Sequence, residues 1–402
     1  MLGAGRDQVY GIQVAQGAGL RVLAVDRNPQ AVGFGLADEY SVTSNRDVDA
    51  LERLCKGSAQ RGFPIAGILT IGADIPQVAA ELAFRLGIPG PSMETGRLTT
   101  DKYLMKNRLA DAGVAIPWFA RVESASHLRR LTADHGGKLF VIKPTNQSGA
   151  RGVLMIDVSR DDMDTRYAEA KSAANGGEIQ IEEYISGIQI STESVLWEGK
   201  AYTPGFADRN YEMLERFYPN FIENGGVQPS LVQGVQRAAV EDLVQRAATA
   251  LGIRNGIAKG DVVIAADGTP KIIEMAARLS GGDFSESLIP LSSGVNIVEA
   301  AIQIAVGLAP DLSLLVGRFE RFVANRYLFG EPGLLVALEG QEEVRDLPWV
   351  RKFEIYVRPG DTIEKIDSHS KRLGVFVVEA KDRTKLTERI RHIYNTVRLE
   401  IR

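Results

Sequence analysis

Gly260-Asp261-Val262-Val263-Ile264-Ala265-Ala266-Asp267-Gly268-Thr269-Pro270-Lys271-Ile272-Ile273-Glu274-Met275-Ala276-Ala277-Arg278 is the stretch on which the fold turns. Two short apolar runs flank Asp267-Gly268, a strong local signal for a β-hairpin. A loop symmetric about those two residues sets Asp261 opposite Glu274. Directly opposed side chains lie about 4.5–5.5 Å apart at Cβ, and like charges there repel. A cation between them removes that penalty, and carboxylates together with phosphate oxygens suit Mg2+. Glu274, Ala276 and Arg278 alternate along one strand and share a face. That face offers two carboxylates and a guanidinium, enough for a metal-nucleotide and an anionic substrate. A solvated hairpin edge would read the same in isolation, so the surrounding sequence decides.

With 402 residues the chain is long enough for two or three domains. It is 45% hydrophobic and 24% charged, ordinary for a globular protein. A formal charge of −4 gives no general basic field, which argues against nucleic acid as a partner. The single cysteine, Cys55, excludes an internal disulfide. It reads as a small apolar helix residue. No run approaches the ~18 apolar residues of a membrane span, and no signal-peptide pattern is present, so the expected location is the cytoplasm. The four histidines, His127, His135, His369 and His392, lack metal-ligand spacing. The chemistry therefore falls to Lys, Arg and carboxylates.

Strand and helix patterns alternate over the first ~95 residues, an α/β layout with a parallel sheet. Residues 21–26 and 65–71 read as strands, and residues 78–86 as an amphipathic helix closed by Gly87. Gly3-Ala4-Gly5-Arg6-Asp7-Gln8 followed by Asp26 is similar to a dinucleotide fingerprint, but Gln8 stands at the third glycine position. The strand before Gly3 is almost missing, as expected of a truncated start or a late translation start. A structural turn is favoured over nicotinamide binding. Pro89-Gly90-Pro91 marks a linker, and Thr99-Thr100-Asp101 caps a helix with Lys102 and Lys106 on one face. Residues 139–143 and 153–156 read as paired strands around Thr145-Asn146-Gln147-Ser148-Gly149-Ala150-Arg151-Gly152. Small residues there can lay backbone N–H groups over phosphate oxygens, and Lys143 adds a point charge. No Walker loop is present. Residues 179–185 form a further strand, 235–251 a long helix and 296–306 another. The tail mixes strands at 353–357 and 374–379 with a helix at 384–394.

The order of these elements resembles the ATP-grasp superfamily over about residues 95–310. A Lys-bearing helix precedes Val-Ile-Lys-Pro with its Gly/Ser loop, then a Glu-Glu-Tyr-Ile strand, then the acid hairpin with Glu-x-Ala-x-Arg. Within that family the chain looks similar to carboxylate–amine ligases of the carbamoyl-phosphate-synthase-like, amino-acid-ligase and phosphoribosylglycinamide-synthetase groups. The resemblance implies an α/β (α+β overall) chain in three parts. These are a Rossmann-like pre-ATP-grasp domain (1–95), an ATP-grasp domain (96–310) and a C-terminal α+β domain completing the site (311–402).

It further implies an ATP-dependent ligase that forms an amide or peptide bond through an acyl phosphate, giving ADP and phosphate. Lys102 and Lys143 match the nucleotide lysines, and Ser148, Gly149, Ala150, Arg151 and Gly152 the phosphate-covering loop. Glu182 matches the adenine-side acid, and Glu183 and Ile185 the positions whose backbone grips adenine. Gln189 stands where many members carry a ribose-binding Glu. Asp261 and Glu274 match the carboxylates for Mg2+ (or Mn2+). Arg278 matches the arginine beside the reacting carboxylate, which makes Arg278 and Lys143 the catalytic candidates. Ala276 replaces a common Asn ligand and leaves the metal count open. The implied partners are a small carboxylic acid and an amine, with a homodimer as the common assembly of such enzymes. Arg209, Glu223 and Arg372 are further candidates for holding the substrates. Competing readings are an ATP-dependent carboxylase using bicarbonate and a catalytically silent ATP-binding protein.

Overall fold

The computed structural model describes all 402 residues. The N-terminal part opens with the turn at Gly3–Gly5 and the helix Arg6–Gly17, followed by parallel strands Leu23–Asp26 and Glu39–Val42. Residues 65–71, expected as a strand, run extended but make only single bridges. Leu2 N–H donates to Leu69 O at 3.0 Å, and Ile71 bridges Leu279. Their neighbour Met1–Gly3 meets them only at Leu2, so no ladder develops. The glycine turn is internally closed. Gly5 N–H donates to Gln8 Oε1 at 2.7 Å, Ala4 N–H donates to Asp26 Oδ2 at 3.0 Å, and Gln8 is buried. Gln8 and Asp26 are thus used within the turn, which supports the structural reading over a dinucleotide site.

A small lobe follows. Its antiparallel sheet runs in the order Phe119–Val122, Ile179–Glu183, Leu139–Pro144, Leu154–Asp157. Helices Ala125–His135 and Met163–Ala174 pack on it. Its core is its own: the 11 buried residues of that cluster all lie between Val122 and Ile181.

The large sheet has eight antiparallel strands. Their order is Pro270–Ala276, Gly256–Ala265, Gly187–Trp197, Lys200–Arg209, Gly226–Gln228, Phe322–Leu328, Gly374–Ala380 and Val350–Ile355. It continues without a break across residue 310, so the tail extends the sheet that carries the acid hairpin. The long helix Gly234–Ala250 covers one stretch of it with Val240, Leu243, Val244 and Ala247 buried. At Gly187 the two lobes meet. A Cβ there would sit 2.1 Å from Ile264 O, so only glycine lets the strands approach this closely.

The hairpin register holds a compensation. Ala265 pairs around the turn with Thr269, and Val262 opposes Ile272, one residue off the symmetric register. A β-bulge between Asp261 and Val262 then takes up Ile273, and Asp261 faces Glu274. The expected pair forms, by a three-residue loop and a bulge rather than by a symmetric two-residue turn.

Because the small lobe has a separate core, damage to it should stay local. Leu128 is fully buried there. Leu128→Ala should cost that lobe about 2–5 kcal/mol. Hydrogen exchange should speed up within residues 119–183 while strand Gly256–Ala265 keeps its protection. Uniform loss of protection would contradict separate cores.

Candidate active site

The floor of the site is one row across the large sheet. Asp261 is in register with Glu274 on one side and Ser191 on the other. Two acids facing each other are held by three cations, with a fourth close by. Arg209 Nη1 lies 2.6 Å from Asp261 Oδ1, and Lys259 pairs with Oδ2. Lys102 Nζ is 3.1 Å from Glu274. Arg278, beyond the end of the strand, pairs with Asp74 from the N-terminal part. Burial pushes the Asp261 carboxyl up, but Arg209 and Lys259 outweigh it and hold it well below the usual carboxylate range.

Asp101 sets the lysine helix. Its Oδ1 accepts from Tyr103 N–H and Leu104 N–H, both at 2.9 Å, and caps Lys102–Asp111. Its Oδ2 accepts from Thr145 Oγ1 at 3.0 Å, tying the helix to the end of the Lys143 strand. Lys102 and Lys106, one turn apart, both point inward rather than to solvent. Lys106 is fully buried, 3.3 Å from Glu182, with burial pushing its ammonium down to about 8. Lys143 sits 2.7 Å from the other oxygen of Glu182, which also accepts from Gln180 Nε2 at 2.6 Å. Burial pushes Glu182 up, yet the two lysines hold it below the usual range. Its carboxylate therefore orients Lys143 and Lys106.

A cavity of about 750 Å3 lies between the small lobe and the large sheet. Lys102, Lys143, Ser148, Gly149, Ala150, Arg151, Glu182, Glu183, Ile185, Gln189, Asp261, Glu274 and Arg278 all line it. Of the residues matched from sequence to a nucleotide, metal or catalytic role only Gly152 does not. It packs against Pro144 and Ala173 at φ +68°, where a side chain would collide. Gly152 shapes the loop from behind.

The loop itself is ready for an anion. The N–H groups of Gln147, Ser148, Gly149 and Ala150 donate to nothing in the protein. Gly149 and Ala150 are consecutive left-handed residues, at φ +63° and +60°, which turn those groups to one side. Lys102 Nζ donates to Gln147 O at 2.7 Å, fixing the base of the loop, and His369 N–H donates to Gly149 O at 3.0 Å, fixing its tip. On the adenine side, Glu183 N–H is used by Trp118 O, whereas Ile185 N–H has no acceptor in the protein.

From the C-terminal segment His369, Ser370 and Arg372 line the same cavity. Arg372 lies over the Tyr327 ring at 3.6 Å and donates to Glu223 O at 2.5 Å. Glu223 in turn pairs with Arg209. Sequence reading missed Lys259, Lys106 and Asp74 as partners. Lys259 carried a signal, since it stands two residues before Asp261 and shares its face. Asp74 carried none, because it arrives from the distant N-terminal part of the chain.

No group of three or more His, Cys, Asp or Glu is arranged to hold a metal ion by itself. Ala276 is buried and offers no third ligand. Two carboxylates without a third suit an ion that arrives with phosphate oxygens and water, as Mg2+ commonly does. The donor set fits such an ion.

Comparison with known proteins agrees with this arrangement. Residues 99–282 match the family model described as ATP-grasp domain, and residues 326–402 match L-amino acid ligase C-terminal domain 2. The fold is similar to the crystal structure of L-amino acid ligase from Bacillus licheniformis, with a TM-score of 0.83 at 21% identity, covering 98% of this chain and 96% of that one. In sequence the chain is 25% identical to an uncharacterised protein, y4rH, of Sinorhizobium fredii, over 81% of this chain and 66% of that protein. It is 26% identical to a D-alanine–D-alanine ligase of Cupriavidus taiwanensis, over 57% of this chain and 70% of that enzyme. The matches thus span about two thirds of the length of these relatives. From the acid hairpin, the lysine pair and the phosphate loop to the family models, one assignment follows: residues 99–282 form an ATP-grasp domain, and residues 326–402 are similar to the C-terminal domain 2 of L-amino acid ligases.

Proposed function

We propose that this chain is an ATP-dependent carboxylate–amine ligase that makes an amide or peptide bond through an acyl-phosphate intermediate, releasing ADP and phosphate. The observation that carries the reading is the facing pair Asp261 and Glu274, set between Lys102 and Arg278 in one cleft. Adenine lies against the strand Ile179–Glu183 and the following residues, where the free Ile185 N–H meets a ring acceptor. Gln189 faces the ribose, its amide able to bond a hydroxyl. The triphosphate takes the free N–H groups of the loop and the charges of Lys102 and Lys143. Asp261 and Glu274 would hold Mg2+, or Mn2+ in its place, which when bound supplies neutralisation of phosphate charge.

The acid substrate's carboxylate oxygen attacks the γ-phosphorus, and ADP leaves. No side-chain nucleophile is required. Lys143, oriented by Glu182, stabilises the transferring phosphoryl group, and Arg278, braced by Asp74, grips the carboxylate as it becomes an acyl phosphate. The amine then adds to the acyl carbon, and phosphate departs as the amide forms. The loop, docked on His369, keeps water from the intermediate. Such a chain, with one buried thiol and a need for ATP, fits the cytoplasm.

Phosphate release with ATP and Mg2+ should be screened against pools of amino acids and small carboxylic acids, with mass spectrometry of products. Turnover that needs both an acid and an amine is expected. Dependence on bicarbonate would point instead to a carboxylase, and nucleotide binding without turnover to a silent binder.

Two substitutions test the assigned roles. Lys143→Ala and Glu274→Ala should each lower ATP turnover by at least about 100-fold, the scale of one lost electrostatic group, with circular dichroism unchanged; full turnover in either refutes the assignment. Arg278→Ala should reduce kcat far more than it weakens nucleotide binding. Equal losses of rate and ATP affinity would contradict a role at the carboxylate.

A further inference from the structure

Arg209 is the least explained cation in the cleft. It ends the strand Lys200–Arg209, is largely buried, and stands over the Tyr211 ring at 5.2 Å. Its guanidinium spans two acids, reaching Asp261 with one nitrogen and Glu223 with another. Asp261 therefore has both oxygens occupied by the protein. Oδ1 takes Arg209 and, at 3.4 Å, the Ser191 hydroxyl, and Oδ2 takes Lys259. A metal ion that reaches Asp261 competes with the cations already there, Arg209 on Oδ1 and Lys259 on Oδ2.

The arrangement around Arg209 favours one replacement partner. Glu223 would still anchor one side of the fork after Asp261 lets go. Arg372 stands beside it, sharing Glu223 through its carbonyl, and has no carboxylate partner of its own; its Nε is buried without an acceptor. A freed guanidinium fork next to an unpaired arginine matches a carboxylate in geometry and charge. Arg209 also lines the cavity on the side of Asp261 away from Glu274, across the sheet from Lys102.

We propose that Arg209 is a metal-released clamp: it closes on Asp261 in the empty site, and a divalent ion arriving with the nucleotide frees it to bind the carboxylate-bearing substrate. Nucleotide then precedes acid. The clamp rests on the ligase reading only for the identity of the second ligand; the competition at Asp261 stands without it.

The first test uses Mg2+ and ADP alone, by calorimetry and by thermal stabilisation at fixed ADP. Arg209→Gln removes the competitor, so the Mg2+ concentration for half-saturation should fall by about three- to tenfold, the scale of a partly buried ion pair. Glu223→Gln leaves Arg209 to Asp261 alone, so the requirement should rise. An unchanged or higher requirement in Arg209→Gln overturns the proposal, because a simple phosphate-binding arginine would weaken ADP binding when removed. If Arg209→Gln does not fold, the Glu223→Gln result decides, and an unchanged or lower requirement there overturns it. The second test takes the acid found in the ligase screen. At saturating MgATP, Arg209→Gln should raise KM for that acid by about tenfold or more, with KM for MgATP unchanged or lower. An unaltered acid KM removes the clamp. Failure of the screen itself would sink the ligase reading and leave the Mg2+ result standing.

Discussion

Two like charges forced face to face across a hairpin are the constraint from which the rest of the site follows. Asp261 and Glu274 repel in any arrangement that leaves them alone. The chain answers by bringing cations from separate places. Lys259 comes from the same strand, Arg209 from two strands away, Lys102 from a helix in front, and Arg278 stands just past the strand's end. Lys259, Arg209 and Lys102 arrive on different elements, so the acid pair is compensated only when the large sheet and the lysine helix are assembled. The site is in that sense a folding checkpoint as well as a chemical one.

A second layer of charge supports the first. Glu182 lies between Lys143 and Lys106, and Asp74 braces Arg278. Paired buried charges contribute little net stability compared with apolar packing, but removing one partner is costly. Their value lies in geometry. Lys143 and Arg278 are long and flexible, and each is held by a carboxylate that cannot move without breaking buried contacts.

Much of this was legible in the sequence. The acid hairpin, the lysine helix capped by Asp101, the small-residue loop and the Glu-Glu strand all lie where local patterning put them, since period and turn chemistry act over a few residues. Even so, the Asp261–Glu274 pairing arose through a bulge at Ile273 that no turn rule specified. Residues 65–71 had strand composition yet no ladder, because pairing depends on a neighbour far away in sequence. Gly152 looked like part of the phosphate loop, but packing against Ala173 fixed its role. Asp74, Lys106 and the double grip of Arg209 were invisible for one reason: each depends on which segments meet across the cleft.

The separate core of the small lobe sets how the cleft can breathe. Its buried apolar side chains form a cluster of their own, so swinging the lobe outward leaves that cluster intact. What must break are polar links, some at the surface of the cleft, such as Lys102 to Gln147 O, His369 N–H to Gly149 O and Lys271 to Glu183, and one buried, Lys106 to Glu182. Water can replace the exposed links at little cost, whereas the buried pair sets the main barrier. Entry and exit of bulky ligands are thereby uncoupled from unfolding of the lobe's own core, and the frequency of gaping becomes a property of the charge links across the cleft.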